Sequence, residues 1–483
     1  MVQVRCVAVF QFTNVSFNNK KMIKKILIFH LVVVMCASCS KFLDVGTPSN
    51  NIVSEAVYQS SYSAAGVLTG IYPDLYDLLT GTEFFFKCSL MADDLTLYDQ
   101  ISGLEYYYSN NYRADGEFWI KFYGFLYRIN SAIEGLNGSD ALPINEKRQL
   151  LGEAYFLRAF CYFYLVNLYG GVPLVTKSDY KENSMKTRSS IDDVFNRIIS
   201  DLSDAREMLS DDYLSPDIVT ITNDRVRPTK DVATAFLSRV YLHKGDWKLA
   251  EIESSAILNK KTKYDLVSMS DVFLKNSQES IWQIQPSNPV GFNTLDARVF
   301  VLINGPDMAH PVYLNPTLME SFENRDLRKS SWIGVSSVGN EQYYYPFKYK
   351  LYKEDDADGE YLTIFRIAEQ YLIRSEARVQ MNNINGAVED LNIIRNRAGL
   401  ETWSGGGRDL LLNAILHERR SEFFAECGHR WFDLKRIGKA DDIMPAACAS
   451  KGGQWFSYKQ LLPISIADIR LNPNIEQNPG YSQ

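Results

Sequence analysis

The residues of this 483-residue sequence that could do chemistry divide into acid–histidine combinations and an aromatic–amide loop, and only the loop is arranged for a task. His417-Glu418-Arg419-Arg420-Ser421 starts like a zinc-protease helix but lacks the second histidine that would complete the ligand set. Asp93-Asp94 and Asp355-Asp356 are neighbours in sequence, whereas a glycosidase pair comes from different elements at a set separation; both pairs are expected to be solvated turns or caps. The chain has five histidines, and none belongs to a nucleophile or triad motif. No sequence evidence for an enzyme, a cofactor or a metal site emerges. The acidic run Lys353-Glu354-Asp355-Asp356-Ala357-Asp358 lacks the spacing of a calcium loop.

The densest charged segment, Leu416 to Ile437, interleaves Glu418, Glu422 and Glu426 with Arg419, Arg420, Arg430, Phe423, Phe424, Trp431 and Phe432. Read as one helix, its glutamates recur every four residues along one side. Two readings stand: an active site, or a buried ion-pair network that fixes the helix against its neighbours, which is favoured.

Tyr98 to Arg113 has a different character. Tyr98, Asp99, Gln100, Tyr106, Tyr107, Tyr108, Asn110, Asn111, Tyr112 and Arg113 combine flat aromatic faces with amide, carboxylate and guanidinium groups. Sugar rings present apolar C–H faces and a rim of hydroxyls, so this composition suits carbohydrate. Three tyrosines in a row cannot all face one ligand. A second segment, Pro286 to Arg298, offers Asn288, Phe292, Asn293 and Arg298. The resulting candidate ligand contacts are Tyr98, Asp99, Tyr106, Tyr107, Tyr108, Asn110, Arg113, Phe292 and Asn293. Trp119 and Trp431 are left to the scaffold because their neighbours read as helix.

Helices must position these loops. Glu153 to Leu168 is apolar at almost every position, which demands burial on nearly all faces, and it stops at Gly170-Gly171 with Pro173 beyond. Ala233–Leu258 and Ile367–Ile394 each read as two amphipathic helices broken by a short polar turn, with Ala250 or Ala387 near the start of the second. That is helix-pair spacing of the tetratricopeptide kind, in which small residues permit close approach. Between the pairs the pattern is not helical, and Ser280 to Gln285 alternates as a short strand. The expected fold class is mainly α, a tetratricopeptide-like helix-pair scaffold with long ligand-binding loops and a few short strands.

Met22 to Cys39 carries Lys24 and Lys25, an apolar run from Ile26 to Met35, and small residues before Cys39. This is a secretory signal too short to span a membrane, ending in a cysteine placed for lipidation; the alternative is an ordinary cleaved signal. Residues 1–21 would be an upstream extension ahead of a start at Met22, and 22–38 the signal. Removing 38 residues takes five basic side chains, so the formal charge moves from −7 to −12, 46 basic against 58 acidic residues. An acidic exported chain is not built to bind nucleic acid. The remaining cysteines, Cys39, Cys88, Cys161, Cys427 and Cys448, show no CxxC pair, so neither a disulfide framework nor structural zinc is expected.

Four blocks, Gly152–Val175, Arg227–Trp247, His417–Arg436 and Leu461–Tyr481, together with CSKFLDV after the signal, resemble the landmark blocks of the SusD/RagB family in the family's order. The resemblance implies one SusD-like domain over 39–483, with an N-terminal part at about 42–220 and a C-terminal part at about 270–483. It implies a non-catalytic surface lipoprotein, anchored through Cys39 to the outer face of the outer membrane. Such a protein captures oligosaccharides for a partner, a SusC-like TonB-dependent transporter. It also places the Tyr98–Arg113 loop in a region that contributes ligand contacts in resembling proteins. The alternative is a peptide-capturing or purely protein-binding scaffold of a transporter complex.

Overall fold

The computed structural model describes residues 54–98, 103–287, 293–353 and 359–482. Cys39, the Met22 start, Asp99, Phe292 and the Asp355-Asp356 pair lie outside the described residues. All that follows concerns the unit formed by Val57–Gln483.

Seven helices form the frame: Glu117–Gly138, Ile144–Tyr169, Ile191–Met208, Lys230–Lys244, Trp247–Leu258, Ile367–Gln380 and Ile384–Arg397. Each packs on the next in that order. Ile144–Tyr169 is the apolar helix of the sequence reading and is buried along nearly its whole length from Gln149 onward. It begins nine residues before Glu153 because Pro143 starts it and an exposed Ile144 with the polar residues 145–148 forms its first turn outside the buried stretch. Gly170, at φ 74°, ends it. The two predicted pairs appear with Gly245 and Asn382-Asn383 at their turns, and Ala250 and Ala387 are fully buried where partner helices meet. Ser375 Oγ donates to the Ala387 carbonyl at 2.7 Å across that close approach.

Arginine–carboxylate forks tie the frame together, some between neighbouring helices of that order and some across one intervening helix. Arg158 grips Asp201 through two bonds of 2.7 and 2.8 Å, Arg239 grips Glu369 at 2.6 and 2.7 Å, and Arg374 grips Asp390 at 2.6 and 2.9 Å. Arg206 reaches both Glu253 oxygens at 2.9 Å. Glu153, an acid in the buried part of the apolar helix, accepts from Arg227 at 2.7 and 2.9 Å and from the Tyr72 hydroxyl at 2.5 Å. Buried charges persist only when paired in this way, and the planar guanidinium makes each joint directional.

Among the described residues, three two-stranded antiparallel sheets accompany the frame. Ser280–Ile284, the expected strand, pairs with Leu362–Arg366. Leu95–Leu97 pairs with Val312–Leu314, and Ile333–Val338 with Glu341–Pro346. Two segments read as irregular contain short helices, Leu104–Tyr108 and Leu295–Phe300, the latter capped by Thr294.

The 416–437 segment is not one helix. Arg408–Phe423 ends, the chain turns through Ala425, Cys427 and Gly428 at positive φ, and His429–Arg436 follows. A Cβ at Gly428 would stand 2.8 Å from Cys88 Cβ, so this turn requires glycine. The bend lets Glu426 meet Arg366 at 2.8 Å and also Lys348. Glu418 and Glu422, both fully buried, bind Arg328 at 2.5 and 3.1 Å, and Glu422 also binds Arg366 at 2.6 Å and Arg397. Burial alone would raise the Glu422 carboxyl, but Arg397, Arg366 and Arg328 hold it well below the carboxylate range. These charges neutralise one another, which is the structural reading of the segment. Asp93 and Asp94 are likewise not solvated turns. They are buried against Arg430 at 2.7 Å and Arg420 at 2.9 Å, arginines from either side of the bend.

Candidate functional site

Gly116 helps to set the position of a polar cleft beside the tyrosine loop. At φ 75°, and with Ser465 Cβ 2.4 Å from where a Cβ would stand, it starts the Glu117–Gly138 helix and aims Glu117 outward. The Phe84–Met91 helix supplies Lys87, with Glu83 at its N-cap, and these meet Glu117 and Lys121 in a square of charges. Lys87–Glu117 spans 2.5 Å, Lys121–Glu83 2.8 Å, Lys87–Glu83 3.5 Å and Lys121–Glu117 3.6 Å. Against the upward push of burial, Lys87 holds the Glu117 carboxyl below its ordinary value.

The cleft has a volume of about 310 Å³ and is lined by Glu83, Lys87 and Glu117 of this square and by Tyr106, Tyr107, Arg113, Asp115, Met308 and Pro311. The short Leu104–Tyr108 helix separates its three successive tyrosines. Tyr106 and Tyr107 line the cleft, while Tyr108 packs toward Lys451, whose Nζ lies 5.1 Å from its ring centre. Tyr107 donates to Glu117 Oε2 at 2.8 Å, and burial followed by the Glu117 charge pushes its phenol well above its usual value, so it stays protonated. Arg113 lies over the Tyr106 ring, 4.1 Å from its centre. Among the described residues it makes no ion pair, so its N–H groups face solvent and the cleft. Asp115, two residues on, likewise has no cationic partner among the described residues.

An aromatic rim stands nearby. Tyr98, 49% exposed, meets Tyr343 edge to face at 6.0 Å between centres, and Tyr313 meets Tyr343 at 5.2 Å. Tyr98 is held by its backbone N–H to the Pro311 carbonyl at 2.8 Å, next to the cleft wall. A bond from the Tyr343 hydroxyl to Glu341 raises that phenol to about 12.

The structure therefore brings Tyr98, Tyr106, Tyr107 and Arg113 to one region. It does not bring Asn110 or Asn293 to it with free side chains. Asn110 is fully buried, its Nδ2 donating to the Met91 carbonyl at 3.0 Å and the Tyr112 hydroxyl at 2.7 Å, and its φ of 53° closes the turn after the short helix. Asn293 is also buried, its Oδ1 accepting from Gly359 N and, at 2.9 Å, from Glu360 N. Both amides are loop-fixing groups. Trp119 and Trp431 are buried on helices, as the sequence suggested. Glu83, Lys87, Glu117, Tyr313 and Tyr343 were missed. The i,i+4 pairs Glu83/Lys87 and Glu117/Lys121, and three tyrosines on one strand at 343–345, were the available signals.

The arrangement can stack on an apolar ring face and exchange hydrogen bonds with hydroxyls. Glu83 and Glu117 are engaged in ion pairs, Asp115 Oδ1 accepts from Glu117 N at 3.2 Å, and the Tyr107 phenol is tied to Glu117. Among the described residues, no cluster of His, Cys, Asp and Glu is set to hold a metal, and no helix is long and apolar enough to cross a membrane.

Residues 41–242 match the family model described as starch-binding associating with outer membrane, and residues 278–481 match that of the SusD family. A SusD-like protein of Formosa agariphila is 24% identical over 528 aligned positions, covering 95% of this chain and all of the relative. The starch-binding protein SusD of Bacteroides thetaiotaomicron is 30% identical over 140 positions, 28% of this chain and 23% of that one. Among solved structures, a SusD superfamily protein of Bacteroides vulgatus superposes with a TM-score of 0.75 at 20% identity, over 88% of this chain and 100% of the other. A laminarin-binding SusD-like protein superposes with 0.73 at 22% identity, over 86% and 99%.

Proposed function

Because this chain belongs to the SusD/RagB family, whose members are non-catalytic binding proteins, we propose that it captures oligosaccharides at the cell surface and hands them to a TonB-dependent outer-membrane transporter of the SusC type. The observation that carries the reading is the Tyr106–Arg113 pair in a polar cleft beside the Tyr98–Tyr313–Tyr343 rim. Stacking provides a flat platform for a sugar face, while Arg113 and Asp115 offer a donor and an acceptor for its hydroxyls. The family description, starch-binding associating with outer membrane, supports both the class of ligand and the location. Lipidation at Cys39 is the proposed anchor to the outer face of that membrane.

The test is affinity gel electrophoresis of the protein beginning at Ser40 against plant, host and microbial polysaccharides. Starch and laminarin come first, as the polymers named for two relatives. Retardation by one polymer, lost in Tyr106→Ala, is the expected result. Uniform mobility across the panel, with retained binding to the transporter, would replace this reading with peptide or purely protein binding.

A further inference from the structure

An open groove of about 550 Å³ runs between the Ile71–Leu79 and Glu117–Gly138 helices, and Glu83 lines both this groove and the aromatic cleft. Glu83, the residue the two share, is bound at 2.8 Å by Lys121, which also lines the groove. On the floor lies Gly124, in the middle of a 22-residue helix. A mid-helix glycine costs stability and is usually kept because a neighbour packs against it. Here a Cβ would meet nothing within 4 Å, so no packing within the described chain accounts for it. The same exposed helix face carries Ile120 and Tyr127, 55% and 57% exposed. A bare floor flanked by apolar side chains is a surface that something else approaches closely.

The chemistry of the edges selects the occupant. Asp74 is paired with Arg128, which also donates to the Gly70 carbonyl at 2.7 Å, and Asp77 accepts from Ser287 Oγ at 2.7 Å. Lys121 is taken by Glu83. The cations are already neutralised, leaving polar atoms without excess positive charge, which suits a neutral hydroxylated chain and disfavours an anionic one. From Glu117 in the cleft to Arg128 at the far end is eleven helical residues, about 16 Å. We propose that this groove is a second glycan subsite continuous with the aromatic cleft, so that a neutral oligosaccharide is bound along the Glu117–Gly138 helix and longer chains bind more tightly. This rests on the oligosaccharide-capture reading above.

The experiment titrates the protein with a trisaccharide and an octasaccharide prepared from starch and from laminarin. The expected result is that the octasaccharide binds at least tenfold more tightly, that Gly124→Leu abolishes this ratio, and that trisaccharide affinity is unchanged in the variant. Ile120→Ala, a truncation of an exposed side chain, should lower octasaccharide affinity about threefold. An octasaccharide advantage that survives both substitutions overturns the subsite and leaves the cleft reading intact. Failure of wild-type protein to bind either length, or to be retarded by any polymer of the panel, overturns the capture reading and the subsite with it.

Discussion

Arg113 lies 4.1 Å above the centre of the Tyr106 ring and forms no ion pair with any described residue. A guanidinium resting on a ring keeps its planar fork pre-oriented while its donors remain unspent. Tyr106→Ala therefore removes both a stacking platform and the support of Arg113. The expected loss is about tenfold or more in glycan affinity, roughly 1–2 kcal/mol. Tyr106→Phe should retain most of the affinity, and Arg113→Lys should not, because an ammonium group reproduces the charge but not the flat fork. Titration calorimetry of the three variants against one retained polymer separates these outcomes.

Glu422 should be the most damaging single carboxylate to remove. Glu422→Gln leaves Arg328, Arg366 and Arg397 short of a shared buried anion, and breaking such a network costs about 3–5 kcal/mol. Its carboxyl is depressed in the folded chain, so the stability it contributes is fully present above about pH 4.5 and is lost as pH falls toward its lower folded value. Chemical denaturation at several pH values should show the wild-type advantage over the variant shrinking below that point.

Asp296 behaves in the opposite sense. It is buried, receives one hydrogen bond from Gly81 N at 2.9 Å, and burial raises its carboxyl to about 7. The folded form holds the proton that an unfolded aspartate releases near about pH 4, so its contribution to stability falls as pH rises from about 4 through 7. Asp296→Asn keeps an oxygen for Gly81 and cannot ionise. Its melting temperature should match the wild type near pH 4 and exceed it at pH 8; equal melting at both would contradict the assignment.

Gly124→Ala should stabilise the protein by about 0.5–1 kcal/mol, since a Cβ there has open space and the helix gains propensity. Urea unfolding followed by circular dichroism reads this directly. A loss of stability would mean that the glycine is required for a packing contact.

Cys39→Ser should abolish incorporation of labelled fatty acid and release the protein from membranes in cell fractionation. Persistent membrane association without label would point to retention by a protein partner.

The helix frame was legible because its signals are local: the unbroken apolar face around Phe160, the stop at Gly170, and the small residues Ala250 and Ala387 at turns of fixed length. The break after Phe423 was not, because the helical spacing of Glu418, Glu422 and Glu426 looks continuous. The reason for the break is three-dimensional, the approach of Cys88 to Gly428. At the candidate site, composition located the tyrosine loop but could not say which amides its own backbone would consume. Asn110 and Asn293 have ligand-like chemistry, and turn geometry claims both. Glu83, Lys87 and Glu117 escaped notice because each is unremarkable in its own helix and gains meaning only when Gly116 brings two helices together.

The arginine forks between helices also bear on how such a molecule can diversify. A two-pronged bond tolerates little sliding, so Arg158–Asp201, Arg239–Glu369 and Arg374–Asp390 act as index pins that hold each joint to one register. Insertions cannot then be absorbed by shifting one helix along another and must emerge as changes in the connecting segments. With the frame indexed in this way, the tyrosine-bearing segments can be rewritten for a new cargo while the load they hang from keeps its shape.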